Sequence, residues 1–346
     1  MYSSSTQKHH WTVSSSEALR KMKADAMHKF LVKHSSADDK AEEQEASDST
    51  ALTLDEEIQL CNLVADTALK FCKMFEPPMP SKVIWTGFTY FKRFFLRASA
   101  MEHSPKNVMM SCLFLACKVE EFNVSCAEFV RNLKSGTPEG NREAILNLEQ
   151  VIMEKMDFHL TVHNPFRPLE GHLIHLKTTY GSLADPERLR EASTRFLFEC
   201  LYTDAALLFP PSQLALAALY HAALELGTGD ILAPAPPEEE EKEAATKSNK
   251  IADGVLKRLK EICELVKEEG RAPAADAARR LQARTQECMR SLEKRRLQLE
   301  QQGRKRNSSS SGGKQLEESE VAKRPKGAGA GDELHTAEGT DDVDDS

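Results

Sequence analysis

The run LFLACKVEEFN, residues 113–123, changes from wholly apolar to charged within about one helical turn. Its apolar half continues a segment that begins at Pro105, a favoured first residue of a helix, and is apolar nearly all round. A helix of that kind is enclosed by other helices. Lys118 suits the negative end of the helix dipole by about 0.3–1 kcal/mol, but Glu120 and Glu121 do not. We therefore interpret these charges as part of a partner surface.

The segments on either side of this helix also have helical rather than strand periodicity. Before it, apolar residues recur every three or four positions in 53–75, and the prolines from Pro77 onward end that helix. Phenylalanines recur in the next segment, 81–98. After it come a short helix at 126–133 and a longer one at 142–156. The pattern in residues 53–156 thus predicts a unit of five helices.

The same arrangement repeats later in the chain. Pro211 lies 106 positions after Pro105, and the same shift places Leu219 on Leu113 and Leu197 on Phe91. One register that relates two helices and the turn between them indicates a duplicated unit. We therefore predict an all-α fold with two tandem five-helix domains, at 51–161 and 162–270.

The remaining segments are predicted from composition. Residues 1–50 form an N-terminal helix, at 14–33, and a polar linker, and a charged C-terminal helix covers 271–302. An acidic, proline-rich insertion interrupts the second domain at about 233–248. Residues 303–346 are Ser/Gly-rich, then basic, then acidic, which predicts a disordered tail.

Composition and motifs exclude several classes of protein. The 346 residues carry a formal net charge of −8, which argues against a surface that grips nucleic acid throughout, and no apolar run could span a membrane. The eight cysteines form no C-x-x-C pair, and the closely spaced histidines lack acidic or thiol partners, so we predict no metal site. No nucleotide-binding or nucleophile motif is present. We predict no cofactor and no catalytic residue.

Three stretches resemble the cyclin family: LACKVEEF at 115–122, YFKRF at 90–94 and MDFHL at 156–160. That resemblance implies two cyclin-box folds and a regulatory rather than an enzymatic role. Two further segments, QKHHWT at 7–12 and VHNPFRP at 162–168, narrow the resemblance to the cyclin subunit of the CDK-activating kinase. Chain length, the N-terminal helix and the acidic C-terminus agree with it.

The resemblance also implies where a kinase would bind. In cyclins, a lysine that ends the third helix and a glutamate in the fifth contact the kinase, and these fall on Lys118 and Glu149. The residues that accompany them are Val119, Glu120, Glu121, Met153, Phe158 and Leu160. Spacing also allows Phe158 and Leu160 to be core residues. The arginine-containing patch with which cell-cycle cyclins dock substrates is absent, since residues 58–62 read IQLCN.

The partners implied are a cyclin-dependent kinase catalytic subunit, a RING-finger assembly factor and the core of general transcription factor IIH. The complex would phosphorylate kinase activation loops and the RNA polymerase II C-terminal domain in the nucleus, without direct contact to nucleic acid or membrane. Basic clusters at 304–306 and 323–326 are weak nuclear signals. Alternatives are a cyclin of another transcriptional kinase, a DNA-binding scaffold of two cyclin folds, and an enzyme whose site has no local signature.

Overall fold

The computed structural model describes residues 2–34, 51–179, 186–227, 242–271 and 274–311, and within these residues there are helices and no strands. The all-α prediction is therefore confirmed. The α-helices are α1 (Thr6–Trp11), α2 (Ser16–His34), α3 (Leu54–Lys73), α4 (Ser81–Phe94), α5 (Pro105–Val119), α6 (Cys126–Arg131), α7 (Pro138–Lys155), α8 (Phe166–Thr179), α9 (Arg188–Glu199), α10 (Ala205–Leu208), α11 (Pro211–Glu225), α12 (Lys242–Glu269) and α13 (Ala275–Ser311). In this part of the chain, none is long and apolar enough to cross a membrane.

The first repeat is built around α5, which packs against α3, α4 and α7. Eleven of its residues are buried, namely Pro105 and the ten residues 108–117, while Lys106 and Asn107 between them are exposed. Gly87 of α4 allows the closest approach, because a Cβ there would lie 2.7 Å from Leu113 Cδ2. The all-round apolar composition of α5 thus gives the central helix that it predicts.

The second repeat has the same plan around α11, which packs against α8, α9 and α12. Its buried residues are mostly alanines, and small side chains let neighbouring helices approach closely. Like α5, α11 has a proline in its first turn and 15 residues. The central helices are therefore equivalent along their whole length.

One carboxylate links the two repeats to the N-terminal helix α2. The Nζ atom of Lys23, on α2, lies 2.5 Å from Asp204 Oδ2, and Lys92 Nζ of α4 lies 3.8 Å from Asp204 Oδ1. All three side chains are less than a quarter exposed. Burial is the largest influence on the Lys92 pKa and lowers it, while Asp204 opposes that effect.

Several helix ends differ from their predicted positions. Helix α4 ends at Phe94 rather than at 98, because beyond its C-cap, Phe95, the amides of Leu96 and Arg97 donate only three residues back, to the Arg93 and Phe94 carbonyls, at 3.3 and 3.0 Å. Helix α7 begins at Pro138, before the predicted 142, because the Thr137 side chain caps it by accepting from the Gly140 amide at 3.2 Å. Local caps, rather than apolar spacing, set both ends.

The C-terminal helices extend further than predicted. Helix α12 begins at Lys242, inside the predicted insertion at 233–248, and α13 continues past 302 to Ser311. Gly303 costs only about 1 kcal/mol in a helix, and the Gln, Arg and Lys residues around it favour helix. The rest of that insertion, most of the linker before residue 51 and the tail beyond 311 lie outside the described residues.

Candidate functional site

An ion pair joins the C-terminal end of α5 to the C-terminal half of α7. Lys118 Nζ donates to both carboxylate oxygens of Glu149, at 2.6 and 2.8 Å, and lies 4.7 Å from the centroid of the Phe114 ring. The Lys118 side chain is 47% exposed and that of Glu149 only 16%. The structure thus brings together the two residues that the resemblance implied. A pair this open adds little to stability, about 0–1 kcal/mol, so stability alone does not account for it.

Glu120 binds within the chain. The Thr86 hydroxyl donates to Glu120 Oε1 at 2.7 Å, and Lys82 Nζ lies 3.7 Å from Glu120 Oε2 and donates to its backbone carbonyl at 2.8 Å. Both partners are on α4. Glu120 therefore ties the end of α5 to the start of α4, and its carboxylate is only 16% exposed.

Glu121, in contrast, is exposed and lies in the left-handed region, with φ +56°. Its amide donates to the Lys118 carbonyl at 3.3 Å, and the next amide, of Phe122, donates to the Cys117 carbonyl at 2.8 Å. These two bonds form a Schellman motif, in which glycine is the usual left-handed residue. A glutamate in that conformation costs roughly 1–2 kcal/mol.

Helix α7 ends in the same motif, with more strain. The Asp157 amide donates to the Glu154 carbonyl at 3.0 Å, and the Phe158 amide donates to the Met153 carbonyl at 2.9 Å. Both residues are left-handed, with φ values of +52° and +57°. Together with Glu121, they are the non-glycine residues with positive φ among those that the structure describes. Strain of about 1–3 kcal/mol per residue is typical of functional sites. All three residues follow the two helices that the ion pair joins.

Apolar side chains of the same two helices, and of the turn after α7, reach solvent. Phe158 is 62% exposed, which excludes the core position that its spacing allowed, and Val119 is 36% exposed. Met153 and Leu160 are half-buried. Sequence reasoning missed Leu146, which is 40% exposed and shares a face of α7 with Glu149 and Met153. The i, i+3, i+7 spacing of these three residues was the signal that could have found it.

We call the surface formed by Lys118, Val119, Glu121, Leu146, Glu149, Met153 and Phe158 the α5–α7 surface. It combines an exposed cation, a fixed carboxylate and protruding apolar groups, a composition that suits binding to another protein. Burial raises the pKa of the nearby Cys117 thiol to about 12, so this thiol is no nucleophile at neutral pH. Within the described ranges, no three His, Cys, Asp or Glu side chains could share a metal ion.

The chain matches two family models. Residues 63–161 match the cyclin N-terminal domain, and residues 164–267 match the cyclin C-terminal domain. The α5–α7 surface lies within the first match. Both matches fall within the two domains predicted from the duplicated register.

Relatives and solved structures agree with the family models. The chain is 43% identical to cyclin-H of Xenopus laevis over 232 residues, and this aligned region covers 66% of the present chain and 70% of the Xenopus protein. The fold is similar to a chain of the CAK complex of Chaetomium thermophilum, with a TM-score of 0.67 and 21% identity over 93% of this chain and 98% of that one. It is also similar to a chain of the yeast TFIIK (Kin28/Ccl1/Tfb3) complex, with a TM-score of 0.55 and 22% identity over 77% of this chain and all of that one.

Proposed function

The chain belongs to the cyclin family, and we propose that its α5–α7 surface binds the catalytic subunit of a CDK-activating kinase. Its role is regulatory rather than catalytic: it is a cyclin that controls a cyclin-dependent kinase. The observations that support this location are the Lys118–Glu149 pair, which joins α5 to α7, and the exposed and strained Phe158 in the turn that ends α7. Such a surface offers both oriented charge and apolar area to a partner.

The two kinds of group contribute differently to binding. Phe158 and Val119 lose exposed apolar area when a partner covers them, which supplies most of the affinity. Lys118 and Glu149 present one donor and one acceptor in a fixed relation, which selects the orientation of the partner. Because Glu149 is already held by Lys118, a kinase finds this acceptor preorganised.

Activation follows from binding one kinase conformation better than another. An active kinase needs the lysine of strand β3 paired with a glutamate of helix αC, and an ordered activation loop. A rigid helical surface that fits only this arrangement shifts the kinase population toward it. A shift from 1:99 to 99:1 requires about 5.5 kcal/mol of differential affinity. A partner surface with an aromatic centre and desolvated charges can supply that amount.

The sharpest test exchanges the two charges. In Lys118→Glu/Glu149→Lys the intrachain ion pair is kept but reversed, so the free cyclin should unfold at the same temperature as the wild type. Either single reversal places two like charges together and is the matched comparison. We expect all three variants to bind the purified kinase subunit at least about tenfold more weakly, measured by isothermal titration.

The exchanged variant separates a contact role from a structural one. If it binds the kinase as the wild type does while the single variants do not, the ion pair serves only the fold of the cyclin. If all three bind normally, the kinase contacts another surface. Phosphorylation of a CDK activation-loop peptide by the reconstituted complex gives the corresponding activity readout.

The proposal extends to the larger complex named for the relatives. A RING-finger assembly factor and the TFIIH core would be further partners, the RNA polymerase II C-terminal domain a further substrate, and the nucleus the site of action. Isolation of the endogenous complex from nuclear extract tests this extension. We expect a kinase and a RING-finger protein in equal amounts with the cyclin, and a complex without them would overturn it.

A further inference from the structure

The Asp157-Phe158 turn needs support, because two consecutive left-handed residues must present an exposed aromatic ring. Two side chains of α4, Tyr90 and Arg93, and one from the turn after it, Arg97, supply that support. Tyr90 Oη donates to the Leu160 carbonyl in a short hydrogen bond, Arg93 Nη1 donates to the His159 carbonyl at 2.9 Å, and Arg97 Nη1 donates to the Lys155 carbonyl at 3.0 Å. Arg97 Nη1 also lies 2.6 Å from Asp157 Oδ2. The turn is thus held at the residues before, within and after it.

The two arginines of this set have their own difficulty. They lie four residues apart, one in α4 and one in the turn after it, and carry the same charge, and Arg93 is fully buried. The Nε and Nη2 atoms of Arg93 are buried without a hydrogen-bond partner. A buried cation in this state needs another source of stabilisation to keep its rotamer.

Trp11 of α1 provides it. The guanidinium carbons of Arg93 and Arg97 lie 5.1 and 4.6 Å from the centroid of its indole ring, within the range of cation–π attraction. Trp11 Nε1 also donates to His159 Nδ1 at 3.2 Å, directly after Phe158. Trp11 is 1% exposed, so the indole reaches the turn only from inside.

We propose that Trp11 is a positioning residue for kinase binding: it holds Arg93 and Arg97 in the rotamers that fix the Asp157-Phe158 turn. The inference rests on the proposed function, because it assigns to helix α1 a role in preparing the α5–α7 surface. Preorganisation of a contact residue lowers the entropy lost on binding. Loss of the indole therefore weakens kinase binding through Phe158, without removing any group of the surface itself.

The test uses the full-length chain and a matched tryptophan. Trp85 is also 1% exposed, but its ring packs on Phe166 at 5.9 Å. We expect Trp11→Leu to raise the dissociation constant for the kinase subunit about tenfold, at a temperature where circular dichroism shows a folded chain. Amides 157–160 should lose hydrogen-exchange protection. Trp85→Leu should lower the melting temperature and leave both readouts unchanged.

A milder variant gives the decisive measurement and covers the case in which Trp11→Leu does not fold. Trp11→Phe keeps an aromatic ring and removes the Nε1 donor. If Trp11 acts through Phe158, Trp11→Phe weakens binding in the wild type and has no further effect in a Phe158→Ala background. Additive effects in this cycle, or unchanged binding in Trp11→Phe and Trp11→Leu, would overturn the proposal.

The charge-exchanged variant distinguishes this outcome from failure of the proposed function. Weaker binding by Lys118→Glu/Glu149→Lys, with normal binding by the Trp11 variants, rejects only the positioning role. Normal binding by both sets rejects the α5–α7 surface as well.

Discussion

The ends of α5 and α11 are the same structure made from different residues. With the shift of 106 that relates Pro105 to Pro211, Gly227 stands where Glu121 stands, and both are left-handed, with φ +68° and +56°. Each donates to the carbonyl two residues before its helix cap, at 3.2 and 3.3 Å. The second repeat thus uses the residue that adopts this conformation without cost, and the first uses one that is strained.

The difference extends to the side chains beside these caps. Leu224, the counterpart of Lys118, is 55% exposed. The second repeat therefore has an exposed leucine in place of Lys118 and a glycine in place of the strained Glu121, while its own exposed ion pair, Arg195–Glu225, lies one residue further along α11. Because the two backbones agree, the charge and strain in the first repeat are not demands of the fold. Under the proposed function, Lys118 and the strained turns distinguish the first repeat as the kinase-binding copy, and substitutions in both copies test this.

The largest effect should come from the joint between the repeats. Asp204→Asn leaves Lys23 and Lys92 mostly buried without their counter-ion, and we expect a loss of about 3 kcal/mol in the free energy of unfolding. Urea denaturation measures it. The control is Glu225→Gln, which breaks the exposed Arg195–Glu225 pair and should cost less than about 1 kcal/mol. Equal losses in the two variants would show that Asp204 is no more than a surface charge.

Truncation of the exposed apolar groups separates the copies by binding. Phe158→Ala should weaken kinase binding by about 2 kcal/mol or more, as expected for an aromatic group at the centre of an interface. Leu224→Ala removes a similarly exposed group from the second repeat and should leave the affinity unchanged. Surface plasmon resonance with immobilised kinase measures both. If only Leu224→Ala lost affinity, the kinase would bind the second repeat and the proposed location would be wrong.

Phe158 also shows how far the sequence predicts the site. The period of α7 continues through Met156, and extrapolating it further made Phe158 eligible for the core. The left-handed residues at 157 and 158 reverse the chain direction, and the side chain points to solvent instead. Periodicity describes a helix and stops at its cap, so side chains in the turn beyond a cap cannot be placed from it.

Other parts of the molecule were more accessible to sequence reasoning. Pro105 and Pro211 marked the starts of both central helices, and the doubled five-helix plan followed from their shared register. The resemblance supplied Glu149, which spacing alone would not have paired with Lys118. Trp11 entered only as part of a motif, because its contacts with α4 and His159 join residues far apart in the chain.

Substitutions at the two left-handed residues, Glu121 and Gly227, test the backbone strain directly. Glu121→Gly should raise the free energy of unfolding by about 1 kcal/mol, and Gly227→Ala should lower it by about as much. Apart from its chain neighbours, no atom of the described residues lies within 4 Å of a Cβ built on Gly227, so the substitution tests the backbone conformation. The control is Gly171→Ala within α8, where the same space is open but φ is helical, and which should stabilise by about 0.5–1 kcal/mol. Stabilisation by Gly227→Ala would contradict the assigned strain.

The smallest effect is a difference in pH dependence between two glutamates, one in each repeat. Burial raises the pKa of Glu57 above its ordinary value of 4.5, although hydrogen bonds from Ser99 and Ala100 oppose this. Hydrogen bonds from Arg190 and Lys177 lower the pKa of Glu187 to about 2. The folded state therefore binds the Glu57 proton more tightly than the unfolded state does, and the Glu187 proton less tightly.

The two carboxyl groups should thus give slopes of opposite sign. As the pH falls from 7 to 3, the contribution of Glu57 to stability becomes more favourable, while that of Glu187 is lost as the pH drops from about 4.5 toward about 2. Urea denaturation across this range, with Glu57→Gln and Glu187→Gln each compared with the wild type, isolates the two slopes. Slopes of the same sign would mean that water reaches the Glu57 carboxylate. The turn at Ser99 and Ala100, which donates hydrogen bonds to this carboxylate, would then be open to solvent.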